Sequence, residues 1–238
     1  MEVEMKAAIN EDQLKALLNT EDFGFCKTNE VRDFLVKKDT YYSFNGERVN
    51  KPKYIQRIRE EILVASYNPG KEYTIEQIKR RGDTGEEVTV QTNMNLFTYA
   101  CLEFFNFNRT LKAMCSTRTY VTVKEKHTDA RGRESNSEYE SEVTNKSAIE
   151  ELYRVMNFKP YFEKDKRSIS FYIEMEGKKL HAEIVSVNAS NIYLEIEACT
   201  DSENAKDYAD LIARFFKEAF NITEFDSRSW SEIVGESK

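Results

Sequence analysis

Proline and glycine are scarce, 3 and 8 residues in a chain of 238. So little of either leaves no material for a flexible linker, and the scattered glycines form no phosphate-cradling loop. One domain over residues 1–238 is expected. Histidine is scarcer still, His127 and His181 alone, and the four cysteines (Cys26, Cys101, Cys115, Cys199) stand far apart. Their spacing carries neither a zinc site nor a disulfide framework, and they read as reduced thiols of a cytoplasmic protein. No serine or cysteine sits in a recognisable nucleophile motif. No apolar run approaches the roughly 20 residues that a bilayer-crossing helix needs, and the first residues are charged rather than a signal peptide, so no membrane partner is expected. A basic excess is missing too. The formal net charge of −7 argues against general nucleic-acid binding.

What the chain does have is charge laid out with a strand period. In Met1-Glu-Val-Glu-Met-Lys6, Glu2, Glu4 and Lys6 fall on one face, Val3 and Met5 on the other. A second acidic pair, Glu195 and Glu197, repeats the pattern in a strand read at 191–199. Between them, strands are read at 32–44, 54–66, 118–126, 136–144, 161–174 and 178–187, the last two forming a hairpin around Gly177. Arg57 and Arg59 share a face, as do Lys124 and Lys126, Glu138 and Glu140, and Lys164 and Lys166. Helices are read after capping boxes at Asn10–Gln13 and Ser147–Glu150, and over 201–221, where Ala205, Tyr208, Ile212, Phe215, Phe216 and Ala219 make an apolar stripe. Residues 67–116 read as an insertion. Leu96, Phe97, Ala100, Cys101, Phe104 and Phe105 within it are spaced as a buried helix, and its aromatic stretch could also cap a tunnel or mediate a homodimer.

Eight antiparallel strands with one charged and one apolar phase suit an α+β fold: a closed eight-stranded antiparallel β-barrel, a tunnel, with a few flanking helices. The charged phase is placed inside, around a wet lumen, and the apolar phase against the helices. Two carboxylates about 7 Å apart along a strand, followed by an ammonium, suit a divalent cation beside a phosphate chain. One Glu-x-Glu reads equally well as the wet face of an edge strand, and one lysine as half of a surface ion pair contributing about 0–1 kcal/mol. Two acidic pairs with basic pairs between them favour a metal–phosphate site. Glu2, Glu4, Glu195 and Glu197 offer hard oxygen ligands for Mg2+ or Mn2+, and Lys6, Arg57, Arg59, Lys124, Lys126, Lys164 and Lys166 would grip phosphate oxygens.

In their order these motifs resemble the CYTH proteins of the triphosphate tunnel metalloenzyme superfamily. Glu2-Val-Glu-Met-Lys6 is similar to the family's ExExK signature, Asp39-Thr-Tyr41 to its D-x-Y strand, Arg57-Ile-Arg59 to its RxR strand, and Lys124 to its T-x-K strand. Glu138-Tyr-Glu140 follows as the middle ExE, then Lys164-Asp-Lys166-Arg167, Glu183, Glu195-Ile-Glu197 and Ser229-Trp230. Glu183 stands where the family usually has Asp. Lys166 stands where it has Arg, Arg167 being out of phase and expected to face outward. The long gap from Arg59 to Lys124 leaves open which of Arg57, Arg59 and Arg118 enters the tunnel. The resemblance implies a metal-dependent phosphohydrolase cleaving the terminal phosphate of an inorganic, thiamine or nucleoside triphosphate. Glu2, Glu4 and Lys6 would be catalytic. Glu138, Glu140 and Glu183 would join Glu2, Glu4, Glu195 and Glu197 as metal ligands. A class IV-type adenylate cyclase making cyclic AMP from ATP is the alternative, and a non-catalytic nucleotide or polyphosphate binder the third reading. An RNA 5′-triphosphate end is the only nucleic-acid partner it allows.

Overall fold

The computed structural model describes residues 2–29, 31–47, 54–68, 71–80, 87–108, 117–128, 134–201 and 203–236. Its elements are β1 (Glu2–Ala8), α1 (Glu11–Asn19), β2 (Lys27–Thr28), β3 (Arg32–Phe44), β4 (Tyr54–Tyr67), β5 (Glu72–Arg80), β6 (Glu87–Asn95), α2 (Leu96–Tyr99), β7 (Thr117–Thr128), β8 (Glu134–Glu142), α3 (Lys146–Val155), β9 (Phe158–Met175), β10 (Lys178–Val187), β11 (Tyr193–Cys199), α4 (Ala205–Phe220) and α5 (Trp230–Glu236). A π-helical turn, Ala100–Phe104, continues α2. All eight strands expected from the charge pattern are present. The short β2 and a separate two-stranded hairpin, β5–β6, are additional.

The main sheet runs β10-β11-β1-β8-β7-β4-β3-β9, all neighbours antiparallel, with β2 on the outer side of β9. β9 also pairs with β10 from Lys178↔Met175 to Val187↔Lys166, so the sheet curls round. Register shifts at Phe34/Leu35 and Tyr41/Tyr42 in β3 sharpen that curl. The expectation of a closed barrel is corrected: the sheet is an open half-barrel. Its seam lies between β1 and β8, which share a single register pair, Glu2↔Asn136. The reason lies in β8. Glu-Ser-Asn-Ser-Glu-Tyr-Glu-Ser-Glu has no apolar phase, it is exposed from Glu138 to Glu142, and its Glu138 carboxylate stands across Lys124 from Glu2 of β1.

The apolar core sits outside the curl. Ile169, Phe171 and Ile173 of β9, Ala182 and Ile184 of β10, and Leu194 and Ile196 of β11 pack with Leu14, Leu17 and Leu18 of α1 and Leu211, Ile212, Phe215 and Phe216 of α4. Leu96, Tyr99, Ala100 and Phe104 join this core, Phe104 meeting Phe34 edge-to-face at 4.7 Å. Each fully buried Phe or Leu contributes roughly 1.5–3 kcal/mol, so stability is gathered on the convex face and the lumen is free to be polar. The hairpin between β9 and β10 turns through Glu176 and Gly177, both with positive φ (52° and 70°), as a tight two-residue turn requires. The capping box of α1 is formed by Asn10 and Gln13 as read. The second start is corrected: Asn145, not Ser147, caps α3 by accepting from the Ala148 N–H, which begins the helix a half-turn earlier. Among the described residues no helix is long and apolar enough to cross a membrane.

Candidate functional site

Alternation along the curled strands sends one phase into the concave face, and cross-strand register decides which of these side chains meet. On β1 and β11, Glu4 lies opposite Glu197, and Lys6 opposite Glu195. On β10 and β11, His181 lies opposite Glu197 and Glu183 opposite Glu195. On the far wall, Lys37 of β3 lies opposite Lys166 of β9 and Glu61 of β4, and Asp39 lies opposite Lys164 and Arg59.

Glu2, Glu4 and Glu197 converge, each offering a carboxylate oxygen with all three oxygens within 4.8 Å of one another. Burial pushes the Glu2 carboxyl up to about 8, with Glu138 and Glu197 adding to the rise against the pull of Lys124. Glu4 is exposed on the concave face. Desolvation among the surrounding strands and the neighbouring Glu195 carboxylate push it up to about 7. Glu197 goes the other way, down to about 2, because hydrogen bonds from His181 and Glu2 outweigh burial. Three carboxylates packed so closely cannot all carry charge near neutral pH unless a cation replaces the protons. The donors are all hard oxygens, which fits Mg2+ or Mn2+ and not a thiophilic metal.

Lys124 stands beside this cluster, its Nζ 3.0 Å from Glu2 and 2.7 Å from Glu138, so one lysine spans the open seam. The neighbouring carboxylates raise its pKa despite burial. Deeper in, Lys166 bridges Glu183 and Glu195, both at 2.6 Å, and Lys37 holds the other Glu183 oxygen at 2.5 Å. Trp230 of α5 donates its indole N–H to Glu195 at 2.7 Å, and its ring lies 5.9 Å from the Lys6 ammonium. Asp39 is grasped by Arg59 through two bonds of 2.7 and 3.0 Å and by Lys164 at 3.0 Å. Although burial opposes it, these cations hold Asp39 well below the usual carboxylate range. Arg57 bonds Thr122 at 3.1 Å and Glu140 at 3.3 Å. Replacing such buried ion pairs by packed apolar residues is often neutral or stabilising by about 1–4 kcal/mol, so stability does not explain so many of them. Charges that a ligand can exchange with would.

The sequence-read residues are therefore divided by the fold. Glu2, Glu4 and Glu197 come together, with Glu138 across Lys124. Glu183 and Glu195 are tied to lysines, and Glu140 to Thr122 and Arg57. Arg57 and Arg59 both enter the lumen, Arg118 is exposed, and Arg167 faces outward, its guanidinium on the Phe104 and Asn106 carbonyls at 2.6 and 2.9 Å. Lys126 lies on β7, but its side chain is outside the described residues. Sequence reading passed over Lys37, Ser170 and His181, although the two-residue period from Asp39 and from Glu183 marks the first and last. Trp230 was marked only by the resemblance of Ser229-Trp230 to a closing motif, because its approach to Glu195 depends on where α5 docks. A separate cavity of about 550 Å3, lined by Ile9, Leu14, Phe97, Cys101, Leu102 and Ile192 among others, opens outside the lumen and holds none of these charges.

No family model and no curated protein matches the chain by sequence. Solved structures do match by shape. The PH1819 protein of Pyrococcus horikoshii has a TM-score of 0.63 at 16% identity, covering 100% of both chains. A Vibrio parahaemolyticus protein, described as a candidate adenylate cyclase, has 0.55 at 11%, covering 98% of this chain and 97% of its own. HpAC1 of Hippeastrum, described as a candidate adenylyl cyclase with a dominant triphosphatase activity, has 0.51 at 13%, covering 100% and 97%. At these identities the likeness shows the fold alone: the curled antiparallel sheet with its flanking helices is shared along nearly the whole of each chain.

Proposed function

We propose that this chain, a single tunnel domain with the 67–116 segment inserted in it, is a metal-dependent phosphohydrolase cleaving the terminal phosphate of a small triphosphate. The observation that carries the reading is the convergence of Glu2, Glu4 and Glu197 beside Lys124 on the concave face. Those three glutamates would hold Mg2+ or Mn2+, which when bound supplies neutralisation of charge on the phosphate oxygens. Lys124, Arg57, Arg59, Lys164 and Lys166 bind the phosphate chain by exchanging their internal carboxylate partners for phosphate oxygens, and Lys6 adds a further ammonium. Glu2 or Glu4 orients the attacking water and takes its proton. The bond from the terminal phosphorus to the bridging oxygen then breaks, and diphosphate leaves. The likeness to HpAC1 supports hydrolysis, and the likeness to the Vibrio protein supports the second reading, cyclisation of ATP.

One experiment separates them. The chain is incubated with tripolyphosphate, thiamine triphosphate or ATP and either Mg2+ or Mn2+, and the products are resolved by chromatography. ADP and orthophosphate from ATP are expected. Cyclic AMP and pyrophosphate would establish the cyclase, tight binding without turnover the non-catalytic binder, and neither binding nor turnover would refute all three.

A further inference from the structure

One chain of polar contacts in the lumen belongs to none of the roles above. The Ser170 hydroxyl of β9 lies 2.8 Å from Nε2 of His181 on β10, and Nδ1 of His181 lies 2.7 Å from Oε1 of Glu197 on β11. His181 and Glu197 are direct cross-strand partners, and Ser170 sits opposite Glu183, two residues along β10. The imidazole is also braced by Tyr172, its cross-strand partner, with ring centroids 5.4 Å apart. In the neutral ring these contacts fit one tautomer, with Nδ1–H donating to Glu197 and Nε2 accepting from the Ser170 hydroxyl.

Hydroxyl, imidazole and carboxylate in this order also occur in nucleophilic hydrolases, where the serine attacks. Here Ser170 lies in mid-strand, paired on both sides, to Asp33 and to Glu183, so its backbone is committed to the ladders and offers no oxyanion hole. The direction that makes chemical sense runs toward Glu197. Glu183, Glu195, Asp39 and Glu138 are held by lysines or arginines, whose full charge cancels the pull of a carboxylate on a cation. Glu197 instead has an imidazole, which in its neutral form fixes one oxygen by a hydrogen bond and leaves the carboxylate its charge.

We propose that His181, itself oriented by Ser170, is the positioning residue that presents Glu197 to a divalent cation. The proposal rests on the functional reading above, in which Glu197 is a metal ligand. The test is calorimetric titration of the full chain with Mn2+ alone, for the unaltered protein and for His181→Ala, His181→Asn and Ser170→Ala, with thermal melts of each metal-free protein. His181→Ala should weaken Mn2+ binding by about 10–100-fold. His181→Asn, whose amide N–H can stand in for Nδ1–H, should recover most of that loss, and Ser170→Ala should weaken binding by a few-fold. A role confined to packing predicts no such recovery. If His181→Ala binds Mn2+ as tightly as the unaltered chain, the proposal fails while the functional reading stands. If the unaltered chain binds no Mn2+, both fail. Should His181→Ala not fold, unchanged Mn2+ affinity in Ser170→Ala, where a few-fold loss is expected, overturns the proposal instead.

Discussion

Glu195 and Glu197 are two residues apart on one strand face, yet their surroundings assign them different work. Glu195 is enclosed by Lys166 and the Trp230 indole, whereas Glu197 belongs to the carboxylate cluster. Glu195→Gln should therefore act mainly on the fold, lowering stability by about 1–3 kcal/mol because Lys166 keeps only Glu183 as a charged partner. Glu197→Gln should lose Mn2+ affinity and activity, with some loss of stability as well, because the hydrogen bonds that hold its carboxyl down stabilise the charged group in the fold. Melts and calorimetry of both variants check this, and an exchange of the two phenotypes would contradict the assignment. Glu2 makes the pH prediction. Its carboxyl is raised from 4.5 to about 8 in the folded chain, so between those values the folded state binds more protons than the unfolded one. Stability from this group thus falls as pH rises through that window. Glu2→Gln removes the cost, and should raise the metal-free melting temperature by about 2–4 °C at pH 8 while changing little at pH 5. An equal shift at both pH values would show that Glu2 is not protonated in the fold.

At the scale of elements, the π-helical turn after α2 is anchored to β9 by one side chain. Arg167 places its guanidinium on the carbonyls of Phe104 and Asn106 and 4.3 Å from the Phe107 ring centroid, on the side of the sheet away from the lumen. Hydrogen bonds from a charged group contribute about 1.5–3 kcal/mol each, so Arg167→Ala should destabilise the chain by a few kcal/mol. Turnover and Mn2+ affinity at low temperature should stay unchanged. Denaturant unfolding and a parallel assay would check both halves, and lost substrate affinity in a folded Arg167→Ala protein would contradict the outward placement.

The whole molecule brings carboxylates and bases into one concavity and satisfies them against each other. Among the described residues Lys6 is the one lumen lysine without a carboxylate in ion-pair contact, and the cluster of Glu2, Glu4 and Glu197 repels any anion until a cation reaches it. A polyphosphate entering the metal-free lumen must break internal ion pairs and meet that repulsion. Tripolyphosphate should therefore bind at least about tenfold more weakly in EDTA than with Mg2+, a difference of roughly 1.4 kcal/mol, and chelation should stop turnover. Calorimetry under the two conditions checks the order of loading, and equal affinity would mean that the bases alone hold the ligand.

The strands, their charged and apolar phases and the placing of the charges inside were legible in the sequence, because a period of two is a property of the local backbone. So was the outward direction of Arg167, one residue out of phase with Lys166. Pairing is different. That Glu197 joins Glu2 and Glu4 while Glu195 is bound to Lys166 and Trp230 depends on the stagger between strands and on where α5 docks, neither of which a local pattern records. The open seam was hidden for the same reason. The missing apolar phase of β8 stood in the sequence, but closure also requires β1 and β8 to gain more from a ladder than the carboxylates at their seam lose by approaching. Only the tertiary structure, which brings those charges together, decides that balance.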